Sequence, residues 1–127
     1  MKINKIHHIA IICSNYNVSK KFYTEILGLK IIREVYRKER DSYKLDLELG
    51  DSQIELFSFP NSPKRLSYPE GRGLRHLAFE VENIEETVKE LEEKGIRCEP
   101  VRIDEFTSRK FTFFEDPDKL PLELYER

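Results

Sequence analysis

Polar and apolar positions change rhythm along this chain in an order that occurs twice. Residues 6–12 form a short apolar block rich in β-branched side chains and interrupted by His7 and His8, the pattern of a mostly buried strand. After the polar Ser14 and Asn15, the spacing turns helical over 17–27, where Val18, Phe22, Ile26 and Leu27 fall on one face and Gly28 stands where a left-handed cap is wanted. Strand patterns follow over 29–37, 43–49 and 53–58, parted by the charged stretch 38–41 and the turn Gly50-Asp51. The second round predicts a strand over 74–81. A helix follows, capped by Asn83 with Glu86, carrying Ile84, Val88 and Leu91 on one face and closed by Gly95. Three further strands are predicted over 96–103, 109–115 and 120–125, with Asp116-Pro117-Asp118 as the last turn. Pro60, Pro63, Pro69 and Gly71 make 60–72 a linker, because proline cannot donate to a sheet ladder and glycine weakens one.

The predicted fold is therefore α+β, two tandem β-α-β-β-β units of about 4–59 and 73–127 within a single domain spanning 1–127. The rounds also match residue for residue in chemical type. At an offset of 68 positions Ile9-Ala10-Ile11 falls on Leu77-Ala78-Phe79, and Ile54-Glu55-Leu56-Phe57 on Leu122-Glu123-Leu124-Tyr125. His8 precedes Glu55 by 47 positions, and His76 precedes Glu123 by the same 47. Two imidazoles and two carboxylates at equivalent places of a duplicated unit are the parts of a metal site with pseudo-twofold symmetry, since both groups ligate borderline divalent ions. Strand alternation places Glu55 opposite Ile54 and Leu56, Glu123 opposite Leu122 and Leu124, and His76 opposite Arg75 and Leu77. The apolar faces take the helices and the other faces hold the ligands.

Composition narrows the partners. The chain has 127 residues, 39% of them hydrophobic, enough for a packed core. Charged residues make up 36% yet nearly cancel to a formal −2, so no nucleic-acid or membrane-surface partner is expected. Neither a membrane span nor a signal peptide is visible, and a cytoplasmic protein with a small-molecule substrate is expected. Cys13 and Cys98 read as reduced, partly buried thiols with no catalytic role.

A single strand histidine is commonly a core or surface residue, and a single strand glutamate is commonly solvated. The repeated spacing gives His8, Glu55, His76 and Glu123 their weight. His7, turned away by alternation, reads as structural. Gly28, Gly95 and Pro117 read as caps and turn, and Phe111, Phe113 and Phe114 as core. Arg37, Lys38 and Arg40 read as a solvated turn, with attraction of an acidic substrate at a pocket mouth as the alternative.

The repeat, the opening His-His-Ile-Ala-Ile with Phe22-Tyr23 and Leu27-Gly28, the segment Leu74-Arg75-His76-Leu77-Ala78-Phe79, and the ending Asp116-Pro117-Asp118 with Leu122-Glu123-Leu124 resemble the vicinal oxygen chelate superfamily over nearly the whole chain. Its members include glyoxalase I, extradiol dioxygenases, methylmalonyl-CoA epimerase, fosfomycin-resistance enzymes and bleomycin-binding proteins. The resemblance implies a curved mixed sheet around one divalent ion per site (Zn, Ni, Co, Mn or Fe(II)) held by His8, Glu55, His76 and Glu123, the His, Glu, His, Glu pattern of glyoxalase I. It also implies a homodimer, in some relatives with each site drawing one His and Glu pair from each chain. Two imidazoles and two carboxylates match a divalent charge and leave open positions for two substrate oxygens, which suits proton abstraction next to a carbonyl through a metal-bound enediolate. By carry-over from glyoxalase I, Glu123 is the first candidate for the base and Glu55 the second. The expected activity is that of a glyoxalase I-like lyase or isomerase acting on a thiol hemithioacetal or related oxoaldehyde adduct. The alternatives are an acyl-thioester epimerase, whose relatives usually carry Gln where Glu55 stands, an Fe(II) dioxygenase, opposed by a fourth ligand, and a drug-binding protein, opposed by the intact set. Lys119 stands where relatives usually have glycine.

Overall fold

In the computed structural model, which describes residues Met1–Arg127, the period-two blocks become eight strands arranged as two four-stranded mixed sheets. The chain divides into two compact units, Met1–Lys64 and Arg65–Arg127. The first holds β1 (His8–Cys13), α1 (Tyr16–Lys21), β2 (Lys30–Arg37), β3 (Ser42–Leu49) and β4 (Ser52–Ser58) in the sheet order β1-β4-β3-β2. The second holds β5 (Leu77–Val81), α2 (Ile84–Glu93), β6 (Arg102–Ile103), β7 (Lys110–Glu115) and β8 (Pro121–Glu126) in the order β5-β8-β7-β6. In each sheet the first strand runs parallel to the last and the other pairs are antiparallel. The fold is α+β, with the β-α-β-β-β order read from the sequence. No helix is long and apolar enough to cross a membrane.

Each unit buries its own apolar layer. Leu45, Leu47, Ile54 and Leu56 are fully buried in the first, and Ile84, Leu91, Leu122 and Leu124 are buried in the second. At about 1.5–3 kcal/mol for each such side chain, this layer is what holds helix to sheet. The helices differ in how they reach it. Asn15 caps α1 by accepting from the Val18 amide at 3.1 Å, but after Lys21 the chain widens into a π-helical turn, Phe22–Ile26. The extra residue in that turn rotates the buried face, so Ser19, Phe22 and Tyr23 are buried while Val18, expected inside, is half exposed. In α2, Asn83 accepts from the Glu86 amide at 3.1 Å, as its sequence predicts. The helix ends in a Schellman motif, in which the Ile96 amide donates to Leu91 and the Gly95 amide to Glu92, with Gly95 at φ 83°.

Three strand expectations need correction. Residues 6–12 do not form a mostly buried strand: β1 is an edge strand, Ile11 and Cys13 are buried, and Ile6 and Ile12 are exposed. Residues 74–76 lie outside the sheet, because the Arg65 guanidinium takes the carbonyls of Leu74 and Arg75 at 3.0 and 3.3 Å. Of residues 96–103 only Arg102 and Ile103 form a strand. Ahead of them the chain hydrogen-bonds to β7 at Glu99, whose amide donates to the Phe113 carbonyl and whose carbonyl accepts from the Thr112 hydroxyl. Pro100 has no amide proton with which to continue a ladder. Both cysteines are free thiols, Cys13 buried and Cys98 half-buried, and burial, with Glu92 nearby, pushes the Cys98 thiol up to about 11.

Candidate functional site

Each unit brings one predicted pair together. In the first, the parallel register sets Ala10 beside Glu55, so His8, two residues earlier in β1, shares the face of Glu55. The His8 Nε2 lies 3.6 Å from the Glu55 Oε2. His7, expected to turn away, sits edge-on to His8 with the two Nδ1 atoms 3.0 Å apart. On the same face, Asp46 is the cross-strand neighbour of Glu55 and is almost fully buried. Its carboxylate accepts from Lys44 at 2.6 Å and Arg33 at 3.1 Å, and the Lys44 ammonium is 3.7 Å from Glu55. Burial pushes the Asp46 carboxyl up, and the bonds from Lys44 and Arg33 outweigh it, holding the group below its ordinary value. Lys44, Asp46 and Arg33 escaped the sequence reading, although Lys44 and Asp46 alternate with apolar Leu45 and Leu47 and so had to share the face of Glu55.

In the second unit, His76 stands just ahead of β5 and its Nε2 lies 3.0 Å from the Glu123 Oε2 of β8. The Arg75 Nη1 is 3.1 Å from the His76 Nδ1. A guanidinium can only donate, so for this contact to be a hydrogen bond Nδ1 must accept and a ring proton must sit on Nε2, toward Glu123. Glu123 is buried along with both of its strand neighbours, Leu122 and Leu124, so burial does not alternate along β8 as predicted. The reason is aromatic. Phe113 pairs across the ladder with Glu123 and meets the His76 ring edge-on at 5.1 Å. Burial raises the Glu123 carboxyl above its ordinary value, against the pull of His76. Of the three phenylalanines expected in the core only Phe114 is there. Phe111 and Phe113, with Arg75, Arg102 and Tyr68, line a cavity of about 270 Å³.

The donor chemistry fits a divalent ion. Each pair offers an imidazole nitrogen and a carboxylate oxygen in close contact, and no group of three or more His, Cys, Asp or Glu donors gathers in the structure. Of the basic trio expected as a solvated turn, Lys38 and Arg40 lie in an exposed 3₁₀ turn, Lys38–Arg40. Arg37 differs: its guanidinium is stacked 4.9 Å from the Phe57 ring centre and 5.6 Å from that of Phe59.

Comparison with known proteins agrees with the fold. The model of the family described as Glyoxalase/Bleomycin resistance protein/Dioxygenase superfamily matches residues 5–124. The chain is 59% identical to the uncharacterized protein YwkD of Bacillus subtilis (strain 168), over the whole of both chains. It superposes on the crystal structure of the glyoxalase family protein from Enterococcus faecalis with a TM-score of 0.92 and 54% identity, covering 99% of this chain and 100% of that one. More distant similarity reaches enzymes. A lactoylglutathione lyase of Schizosaccharomyces pombe is 27% identical over 98% of this chain and 48% of its own length. The human mitochondrial methylmalonyl-CoA epimerase is 28% identical over 75% of this chain and 56% of its own length.

Proposed function

Because the chain belongs to the glyoxalase/bleomycin resistance protein/dioxygenase superfamily, we propose that it is a cytoplasmic, homodimeric, divalent-metal-dependent lyase or isomerase. It removes a proton next to a carbonyl, with a thiol hemithioacetal or related oxoaldehyde adduct as substrate. The observation that carries this reading is the doubled pair, His8 with Glu55 and His76 with Glu123, each in side-chain contact in its own unit. His8, Glu55, His76 and Glu123 would together hold one Zn, Ni, Co, Mn or Fe(II) ion. When bound, such an ion supplies Lewis-acid stabilisation of negative charge on a substrate oxygen.

The protein's own groups supply the proton chemistry. Glu123 is the base: burial has already raised its carboxyl, which brings its proton affinity closer to that of a working general base near neutrality. It takes the carbon-bound proton while the C–H electron pair moves toward the carbonyl oxygen. Return of a proton to the former carbonyl carbon, by Glu123 or by Glu55, with passage of the hemithioacetal hydroxyl proton to the former carbonyl oxygen, completes an isomerisation with no net oxidation. Phe113, edge-on to His76, limits water beside the pair. Exposed Ile31, Ile32 and Val35 along the edge strand β2 are surface apolar groups that support a second copy as partner. Epimerisation next to a thioester carbonyl is the second reading, supported by similarity to the epimerases and by its need for the same two carboxylates.

The test is direct. Purified protein loaded in turn with each of the five ions is incubated with methylglyoxal hemithioacetals of several thiols, and loss of the substrate carbon-bound proton is followed by NMR. Turnover to a 2-hydroxyacyl thioester with at least one ion is expected. Metal-loaded protein that neither isomerises nor exchanges the proton of any hemithioacetal, yet epimerises an acyl thioester, moves the assignment to the second reading.

A further inference from the structure

Arg37 is unlike every other cation of the ligand-bearing faces. In the first unit Lys44 and Arg33 both bond to Asp46, and in the second Arg75 pairs with Glu70 at 3.3 Å and Arg102 with Glu99 at 2.9 Å. Arg37 has no carboxylate within 4.0 Å. It is nevertheless half-buried and held in one place: its Nη2 donates to the hydroxyl of the fully buried Ser42 at 2.9 Å, and its plane rests on Phe57 and Phe59, whose rings are themselves stacked. Its Nε is buried with no hydrogen-bond partner. Arg40 adds a second cation over Phe59 at 5.3 Å, and it too lacks a carboxylate.

A partly desolvated charge without a counter-charge costs free energy, and stacking on phenyl rings returns only part of that cost. Such an arrangement becomes favourable once an anion arrives, because the guanidinium is already oriented and little side-chain entropy remains to be lost. The register says where that anion belongs. Asp46 pairs with Glu55, Lys44 with Phe57 and Ser42 with Arg37, so Arg37, Phe57 and Glu55 lie on one face of one sheet. Phe57 is two residues from Glu55 along β4, a step of roughly 7 Å.

We propose that Arg37, seated on Phe57 and Phe59 with Arg40 beside it, is an oxyanion clamp that selects an acidic substrate, one whose carboxylate or phosphate lies on the order of 7 Å or more from the atoms reacting near Glu55. Arg37 acts as a specificity residue and takes no part in proton transfer. That the oxyanion is the substrate's rests on the lyase reading above. Binding of the oxyanion itself does not.

The experiment separates the two. Full-length, metal-free protein is titrated at constant ionic strength with acetate, inorganic phosphate and, as a neutral control, acetamide, while the Arg37 side-chain N–H and the Ser42 and Phe57 amides are followed by NMR. Saturable shifts with acetate or phosphate and none with acetamide are expected, and the tighter of the two anions names the substrate's acidic group. Arg37→Gln should weaken that binding about tenfold, the loss of one charge-assisted hydrogen-bonded contact, with Arg37→Lys in between and Arg102→Gln unchanged. Unaltered circular dichroism and metal affinity of the Arg37 variants show that they fold. Equal anion binding by wild type and Arg37→Gln, or no saturable shift in wild type, overturns the clamp. In turnover, Arg37→Gln should raise KM for the hemithioacetal of mercaptoacetate while leaving that of mercaptoethanol unchanged. Anion binding at Arg37 in a protein that turns over no hemithioacetal upholds the clamp and removes the lyase reading alone.

Discussion

Glu123 sits among Phe113, Leu122 and Leu124 with His76 at 3.0 Å, whereas Glu55, its equivalent in the repeat, sits beside Lys44 and Asp46 with His8 at 3.6 Å. These unequal settings assign unequal roles. Glu123→Gln keeps an oxygen that can ligate but loses the base, so turnover should fall by on the order of a hundredfold or more with a much smaller change in metal affinity. Glu55→Gln should be milder. Normal exchange of the substrate proton in metal-loaded Glu123→Gln would move the base to Glu55. The raised Glu123 carboxyl also has a signature in stability. As pH rises past about 4, the ordinary glutamate value, the unfolded chain ionises first and the folded chain lags, so this group's contribution to stability declines until the raised folded-state carboxyl has also ionised and stays lost above that. The urea midpoint of metal-free Glu123→Gln should therefore improve relative to wild type as pH is raised from about 4 toward neutrality, and a constant difference would contradict the raised carboxyl. At His76, an ion on Nε2 requires the ring proton on Nδ1, where the exposed Arg75 now donates. Arg75→Ala should accordingly tighten Zn binding by a few-fold, read by competition with a chelator, through removal of that donor and of a nearby positive charge.

Turns and caps are where the elements themselves can be tested. Between β7 and β8 the Asp116 carboxylate accepts from the amides of Asp118 and Leu120 at 2.8 and 2.9 Å, and the Lys119 amide closes the turn on the Asp116 carbonyl. This bonding drives Lys119 to φ 65°, a left-handed conformation that costs a residue with a Cβ roughly 1 kcal/mol or more. Lys119→Gly should raise stability by about that amount in thermal or urea unfolding, and an unchanged or lower midpoint would show that the lysine side chain compensates. Asn83→Ala should act oppositely, costing about 1 kcal/mol with the loss of the cap on the Glu86 amide.

For the whole molecule, the proposal is one ion per chain that needs both halves of the repeat, because two donors in each unit make four only when both are used. Elemental analysis should find about one divalent ion per chain in wild type. His76→Ala should lose it, while His7→Ala should keep it. Whether one chain or two complete a site is answered by mixing His8→Ala/Glu55→Ala chains with His76→Ala/Glu123→Ala chains. In a homodimer with shared sites the mixture regains metal binding that neither parent shows, and a mixture that exchanges subunits yet stays metal-free assigns the full set to single chains.

The repeat order, the α+β class, the left-handed glycine caps (Gly28 at φ 75° and Gly95 at φ 83°), the Asn83 cap and the two His–Glu pairs were legible in the sequence because each is written locally, in periodicity, in turn residues or in matched spacing. Tertiary structure alone decided the rest. The face buried by the first helix depends on a π turn that no short-range pattern announces. The length of β6 depends on whether its neighbour can be reached by backbone groups on either side of Pro100. Above all, the difference between Glu55 and Glu123, and the isolation of Arg37, arise from cross-strand partners far away in sequence. Lys44, Asp46, Phe57 and Phe113 become their neighbours only once the ladder register is set, and burial and charge pairing are properties of those neighbours.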